Sequence, residues 1–397
     1  MTNEGLRGFD ADNHYYEAMD AFTRHIEPEY AKRCMRWATI DGKVRLLVGG
    51  KVNRFLANPT FDRLAEPGCL EDLFRGRNES GKSTVELFGE LKPPRPAYRD
   101  RDARLATMDE QNLDGVMLFP TLGVGMEQAL RHDIPALIAA FRAFNRWLRD
   151  DWGHAYRDRI FAAAYITLAD PDNAVAELRL ALENGARVID MQAGPIFTER
   201  GWKAPADPMF APFWSLLNES GITLAYHAAD NAYSDLLTLW GESSELESHR
   251  IQLMRTLVSA NAVPDMMAAL LSGGIFDRYP NVRVAVIETG ADWVGPLFTK
   301  LEHSYGQQPK AWPYDPIETF RRHVWVAPFY ENDLNEVKEL VGIDRILFGS
   351  DWPHTEGLSQ PLDYAKDIER AGLSEQERDQ ILQHNGAALV RPAGEAR

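Results

Sequence analysis

Acids and imidazoles recur in this chain just past short apolar runs, a placement that suits metal binding or proton transfer. The run Arg345–Phe348 ends in Gly349-Ser350-Asp351, followed by Trp352, Pro353 and His354. A carboxylate beside a buried strand is poorly solvated unless something positive faces it, so Asp351 is a candidate metal ligand and proton carrier, with His354 beside it. An N-cap or a turn aspartate before Pro353 is the competing reading. In FDADNHYYE, residues 9–17, Asp12 and His14 lie two apart and face one side of an extended chain, with Glu17 within reach. A lone Asp-x-His is common in structural settings. His227 closes the apolar ITLAY, where a core histidine is the plainer alternative, and Glu288 closes VRVAVIE, where a carboxylate needs a partner. Asp12, His14, Glu17, His227, Glu288, Asp351 and His354 together supply four carboxylates and three imidazoles. One zinc needs three or four such groups, whereas a carboxylate-rich set can hold two octahedral ions such as iron or manganese. Glu17 or Glu288 can equally orient a ligand from behind it.

Those residues need elements that bring them to one place. Runs rich in Val, Ile and Leu alternate with longer helical patterns, the signature of βαβ units and a parallel sheet. Eight runs fit: Arg7–Asp12, Gly115–Phe119, Ile160–Ile166, Arg187–Gln192, Ile222–His227, Val282–Glu288, His323–Ala327 and Arg345–Phe348. Amphipathic segments such as Ile134–Arg149, Pro171–Glu183, Pro208–Leu217, Val263–Ser272 and Val294–Tyr305 lie between them. The pattern predicts a single α/β domain over residues 1–397, a (β/α)₈ TIM-type barrel with its chemistry at the carboxyl ends of the strands. An open doubly wound sheet is the structural competitor. The first connection is too long for a simple crossover and predicts an insertion over about residues 20–100. In it Trp37–Ile40, Asp41-Gly42 and Val44–Val48 read as a hairpin with a type I′ turn, placed to roof the site. The helical pattern Asp100–Gln111 then leads back to the barrel, and a C-terminal helical segment covers about residues 360–397. A second long connection, Ala228–Pro264, carries Asn231, Tyr233, Trp240 and His249, which are expected to meet substrate.

With 43 basic against 59 acidic residues, a net charge of −16, nucleic acid and anionic membranes are poor partners. The start MTNEGLRGFD has no apolar signal region, and no run approaches the length of a membrane span. A soluble cytoplasmic protein is expected. Cys34 and Cys69 stand far apart, so neither a disulfide framework nor a cysteine zinc site is expected. Any metal falls to His, Asp and Glu.

Gly76-Arg-Asn-Glu-Ser-Gly81-Lys82-Ser83 matches the phosphate-loop pattern but not its setting, since a charged stretch precedes it and Pro93-Pro94 soon follows. It reads as a solvated loop. Gly123-Val-Gly125 lacks the third glycine of a dinucleotide fingerprint. No Gly-x-Ser-x-Gly elbow exists, and Cys34 has no evident base, so nucleophilic Ser or Cys catalysis is unsupported. His303 reads as a surface or packing residue, and Trp293, Trp325, Tyr330 and Trp352 as either pocket lining or core.

Over nearly its whole length the chain resembles the amidohydrolase superfamily, within it the amidohydrolase-2 group that includes aminocarboxymuconate-semialdehyde-type and resorcylate-type decarboxylases. The motifs are FDADNHYYE, His227, RYPNVRVAVIETGADW (278–293), LFGSDWPH (347–354) and ILQHNGAALV (381–390). The resemblance implies a divalent ion (zinc, manganese or iron; one, with two as the alternative) on Asp12 or His14, on His227 and on Asp351, with Asp351 sharing protons with an activated water. It departs from the family pattern in having Asp12 first in the strand-one pair, Glu288 where many relatives carry a catalytic histidine, and no lysine in Ile189–Gln192. The implied activity is hydrolysis or non-oxidative decarboxylation of a small carboxylated substrate. The alternatives are a dinuclear iron or manganese oxygenase on the same barrel, or a catalytically silent partner subunit. Homo-oligomers, or hetero-oligomers with a related chain, are expected.

Overall fold

The computed structural model describes residues 5–247, 252–329 and 333–391; His249 and Tyr330 lie outside them. The first strand, β1 (Gly8–Tyr15), is followed by an antiparallel meander of β2 (Met35–Ile40), β3 (Lys43–Val48) and β4 (Lys51–Val52). The chain then runs through β5 (Leu113–Pro120), β6 (Ile160–Ala162), β7 (Ala164–Tyr165) and β8 (Val188–Asp190). A small hairpin, β9 (Ile196–Thr198) and β10 (Gly201–Lys203), precedes β11 (Thr223–His227), β12 (Arg283–Ile287) and β13 (Val324–Val326).

Among the described residues the strand pairings outside the two antiparallel units are parallel: β1 with β5, β5 with β6, β7 with β8, β8 with β11, β11 with β12 and β12 with β13. β6 and β7 are one sequence run, interrupted at Ala163, whose N–H still donates to Leu118 O. The eighth run, expected as a strand, is instead an extended segment with isolated bridges from Ile346 to Val326 and from Trp352 to Asn13. Leu347 N–H donates to Val326 O and Ala11 N–H to Phe348 O, both at 2.8 Å, so this segment joins the last strand to the first. The ring is closed, and the open-sheet alternative does not hold. Its interior is filled from alternating positions, including Phe9, Ala11, Met117, Phe119, Phe161 and Trp325, as the two-residue period of a strand requires.

The helices occupy the expected segments, with ends set by local chemistry. Asp133 accepts from Ala136 N–H to start Ile134–Asp151, with Pro135 in its first turn, and Asp100 accepts from Ala103 N–H to start Arg101–Glu110. Short helices between residues 361 and 389 end the described chain. Among the described residues no helix is long and apolar enough to cross a membrane.

The β2–β3 turn has Asp41 and Gly42 at φ 51° and 71°, as a type I′ turn demands. It does not roof the site. β3 packs instead toward the helix Met126–Leu130, and the Cys34 thiol just before β2 donates to Ala136 O, because Met35, Leu46 and Val48 are apolar toward that side. The segment over the eighth run is 68–75: Gly68 N–H donates to His354 O and Leu70 N–H to Thr355 O. Gly68 sits at φ 74°, where an added Cβ would lie 2.5 Å from Ser359 N. The phosphate-loop look-alike is exposed, follows the one-turn helix Glu71–Phe74 rather than a strand, and leads only into Thr84–Phe88.

Candidate metal centre

β1, β11, β12 and the eighth segment end at one mouth of the ring, and the side chains there converge. His14 Nε2 lies 3.2 Å from Asp12 Oδ1, 3.3 Å from His227 Nε2, 3.3 Å from Asp351 Oδ1 and 3.8 Å from Glu288 Oε2. His227 Nε2 lies 3.0 Å from Glu288 Oε2 and 3.5 Å from Asp12 Oδ1. Asp12, His14, His227 and Asp351 are buried, and the Glu288 side chain is 18% exposed.

Local structure explains the convergence. β1 shifts register between Asp10 and Asn13, next to the two ligand candidates. Gly349 lets the eighth segment pass against β1, since a Cβ there would meet Asp12 Cβ at 2.7 Å. Glu288 and Asp351 both adopt φ 56°, a conformation costing non-glycine residues about 1–3 kcal/mol and typical of functional sites. His227 Nδ1–H donates to Ala228 O at 2.9 Å, which turns the Nε2 lone pair toward the cluster. Phe119 stacks on the His227 ring at 4.7 Å and holds it there.

Several residues around the cluster escaped the sequence reading. The Asp10 carboxylate accepts from Ser350 N, Ser350 Oγ, Asn13 Nδ2 and Asp12 N, tying β1 to the eighth segment. The fully buried Arg104 donates to Asn13 Oδ1, His14 O and Ala97 O, and lies over the Trp352 ring at 4.7 Å. Thr121 Oγ1 donates to Tyr15 O and sits 2.8 Å from His354 Nε2.

His354 stacks on His14 at 4.0 Å and places Nδ1 2.6 Å from Asp351 Oδ1. Glu17 stands apart: its oxygens accept from Leu122 N–H at 2.9 and 3.0 Å and from Gly123 N–H at 2.9 Å. That is a second role for the Gly123–Gly125 loop, as donor to a buried acid rather than to phosphate. His303 is exposed on its helix. Trp352 packs on Tyr98 at 5.5 Å, Trp325 belongs to the ring interior, and the Trp293 indole donates to Gly290 O. The aromatic residues lining the cavity of about 170 Å³ that opens onto Glu288 and Asp351 are instead Phe74, Phe329 and Tyr364. In the second long connection, Asn231 is buried on its own turn, Tyr233 lines a separate cleft of about 320 Å³, and Trp240 is 70% exposed.

Electrostatically the cluster is frustrated without a cation. Burial, with the Glu288 carboxylate next in weight, pushes Asp351 well above the ordinary carboxylate range, and burial likewise raises Glu288. Burial opposes charging His227, but Glu288 and Asp12 together outweigh it and raise its pKa well above the usual value. Burial and His354 push His14 down to about 3. Asp12 Oδ1 and Asp351 Oδ2 are buried with no hydrogen-bond partner of acceptable geometry, which a divalent ion would relieve.

Glu17→Gln is expected to keep full metal content while losing about 1–3 kcal/mol of stability, because the amide puts NH₂ in place of one of the two oxygens that accept from Leu122 N–H. Metal analysis together with urea unfolding checks this; loss of metal would make Glu17 a ligand. A second buried acid gives a pH signature. Tyr165 OH and Thr167 Oγ1 donate to Glu127 at 2.7 and 2.5 Å, yet burial pushes it to about 7, above its ordinary 4.5. The folded state then holds a proton that the unfolded chain has lost. This stabilisation is full below about pH 4.5 and disappears as pH rises through about 7, at up to about 1.4 kcal/mol per pH unit. Glu127→Gln should flatten that part of the stability–pH curve measured in urea, and an unchanged slope would contradict the assignment.

A family model described as amidohydrolase (Amidohydro_2) matches residues 40–391. The chain belongs to the amidohydrolase-2 family. An amidohydrolase from Mycobacterium avium subsp. paratuberculosis K-10 has the same fold at TM-score 0.90 and 37% identity, covering 98% of this chain and 100% of that one. The gamma-resorcylate decarboxylase of Rhizobium radiobacter is 24% identical over 306 residues, 74% of this amidohydrolase-2 chain and 88% of that protein. A dihydroxybenzoic acid decarboxylase from Polaromonas sp. JS666, solved with bound manganese and the inhibitor 2-nitroresorcinol, shares the fold at TM-score 0.57 and 19% identity, covering 85% and 97% of the two chains.

Proposed function

We propose that this amidohydrolase-2 chain is a carboxy-lyase that uses one divalent ion to decarboxylate a small ring carboxylate. The reading covers one barrel over residues 1–397, in which about residues 20–100 are an insertion. The observation that carries it is the spacing of Asp12 Oδ1, His14 Nε2, His227 Nε2 and Glu288 Oε2, which all lie within 4.8 Å of one another. Ligands about 2.1 Å from a shared ion lie roughly 3.0–3.5 Å from their neighbours, close to the 3.0–3.8 Å separations of this cluster. Asp12, His14, His227 and Glu288 would hold it, with the unpartnered Asp351 Oδ2 beside them. Manganese in the Polaromonas relative supports that ion, with zinc and iron as the other candidates. When bound, the ion supplies Lewis-acid polarisation of the substrate.

The chain's own groups account for the proton. Thr121 gives its hydroxyl proton to Tyr15 O, so it accepts from His354 Nε2–H, which leaves Nδ1 facing Asp351 Oδ1 across one shared proton. As the ring–carboxyl C–C bond breaks, CO₂ leaves, the electron pair stays on the ring carbon, and the Asp351–His354 pair delivers the proton that forms the new C–H bond. Hydrolysis remains the second reading, since the same pair can take a proton from water. The dinuclear reading loses support because Glu17, a carboxylate that could bridge two ions, is committed to the Leu122 and Gly123 N–H groups.

We infer assembly with further copies from the exposed Leu239, Trp240, Leu253 and Leu257, and a cytoplasmic setting from the free Cys34 and Cys69. The test is to incubate manganese-loaded protein with 2,6-dihydroxybenzoate in D₂O. Release of CO₂ with deuterium at the vacated ring carbon is expected. No turnover of this or any hydroxybenzoate would refute the carboxy-lyase reading.

A further inference from the structure

The cavity over the cluster has a size and a charge pattern of its own. At about 170 Å³ it matches the space that takes a single benzene ring. Phe74, Phe329, Leu358 and Tyr364 supply apolar wall. Beyond Glu288 and Asp351, which belong to the metal cluster, the lining adds a third acid, Glu356. Thr355 Oγ1–H donates to Glu356 Oε2 at 2.7 Å, so that oxygen is an acceptor. Among the described lining residues the one cation is Arg75, and its guanidinium is already engaged. Nε donates to Glu71 Oε1 at 2.8 Å, and the two terminal nitrogens donate to Asp367 at 2.9 and 3.2 Å. The Arg75 side chain is 6% exposed, so it is a wall fixed from behind by two acids.

We propose that this cavity selects single-ring substrates with no more than one anionic group, the one that reaches the metal cluster, and with an uncharged or cationic remainder, Glu356 being the selecting residue. The proposal rests on the mouth being the substrate site, and it narrows the substrate class beyond "ring carboxylate". A second carboxylate on the ring would face Glu356 without a free cation to compensate, in a partly buried space where like charges are weakly screened. An ammonium there would meet Glu356 and the aromatic faces, both favourable to a cation.

The experiment is calorimetric binding of three probes, benzoate, isophthalate and 3-(aminomethyl)benzoate, with and without manganese, to the wild type and to Glu356→Gln. In the wild type isophthalate should bind at least about tenfold more weakly than benzoate, about 1.4 kcal/mol, and 3-(aminomethyl)benzoate more tightly than benzoate. In Glu356→Gln the isophthalate penalty should shrink to about threefold or less and the aminomethyl advantage should disappear, with raised salt acting in the same direction on the wild type. Equal binding of benzoate and isophthalate by the wild type, or ratios unchanged in Glu356→Gln, would overturn the proposal. The manganese arm reads the metal assignment separately: if manganese leaves benzoate affinity unchanged, that assignment fails while the probe ratios still decide the charge selection.

Discussion

Alanine at position 227 is expected to strip the protein of its ion and to lower turnover at least about 10³-fold. His227 contributes the nitrogen that lies 3.0 Å from Glu288 Oε2 and 3.3 Å from His14 Nε2, and its tautomer is set by Ala228 O. Losing a direct ligand should exceed the roughly 10- to 100-fold affinity cost of losing a supporting group. Without the ion its Lewis-acid contribution of several kcal/mol goes too, and each 1.36 kcal/mol is about tenfold in rate. The variant also leaves a gap under Phe119, so its unfolding must be compared with that of ion-free wild type rather than loaded enzyme. Metal content by elemental analysis and turnover should fall together. Full metal retention in His227→Ala would remove the histidine from the ligand set.

Chelation of the wild type should lower the unfolding midpoint by about 5 °C. An ion present at about 1,000 times its dissociation constant stabilises the native state by about 4.1 kcal/mol. At about 2.1 cal/mol/K of unfolding entropy per residue, a chain of this length converts that into roughly 5 °C. The loss should be greater at pH 8 than at pH 6. Burial raises Asp351 and Glu288 in the ion-free protein, so protons compete with the ion for these acids increasingly as pH falls. A raised folded-state pKa gives stability that is lost as pH rises through it. Adding manganese back should restore the midpoint at both pH values. A midpoint indifferent to chelator and manganese would mean that the cluster holds no ion.

The ring was legible because its strands are short apolar runs, and the pattern survives even where β6 and β7 are interrupted at Ala163. Asp12, His14, His227, Glu288 and Asp351 were legible because each sits near or just past the carboxyl end of such an apolar run. Glu17 shows the limit of this reasoning. Its position past β1 tells which rim it lies near, but not that Leu122 and Gly123 would turn their N–H groups toward it from another strand.

Arg104 and Asp10 were missed although each left a trace. Arg104 lies four residues before Met108 on the buried stripe of its helix, and Asp10 lies two before Asp12. What each touches is set by segments far away in sequence, such as Ser350 and Asn13, and no local pattern encodes that. The cavity wall was harder still. Phe74 comes from the segment 68–75, whose docking depends on hydrogen bonds from Gly68 and Leu70 to His354 and Thr355. The hairpin was recognised from its Asp41-Gly42 turn, but a turn motif carries no information about which surface the hairpin will cover.

The most direct test of the account is the metal-to-chain ratio of protein prepared without chelator, measured by elemental analysis with the protein quantified independently. One manganese, zinc or iron per chain, held at the shared mouth of Asp12, His14, His227, Glu288 and Asp351, is the expected result. A ratio of two would contradict the single-ion centre, and a ratio of zero that added manganese does not change would contradict the metal centre altogether.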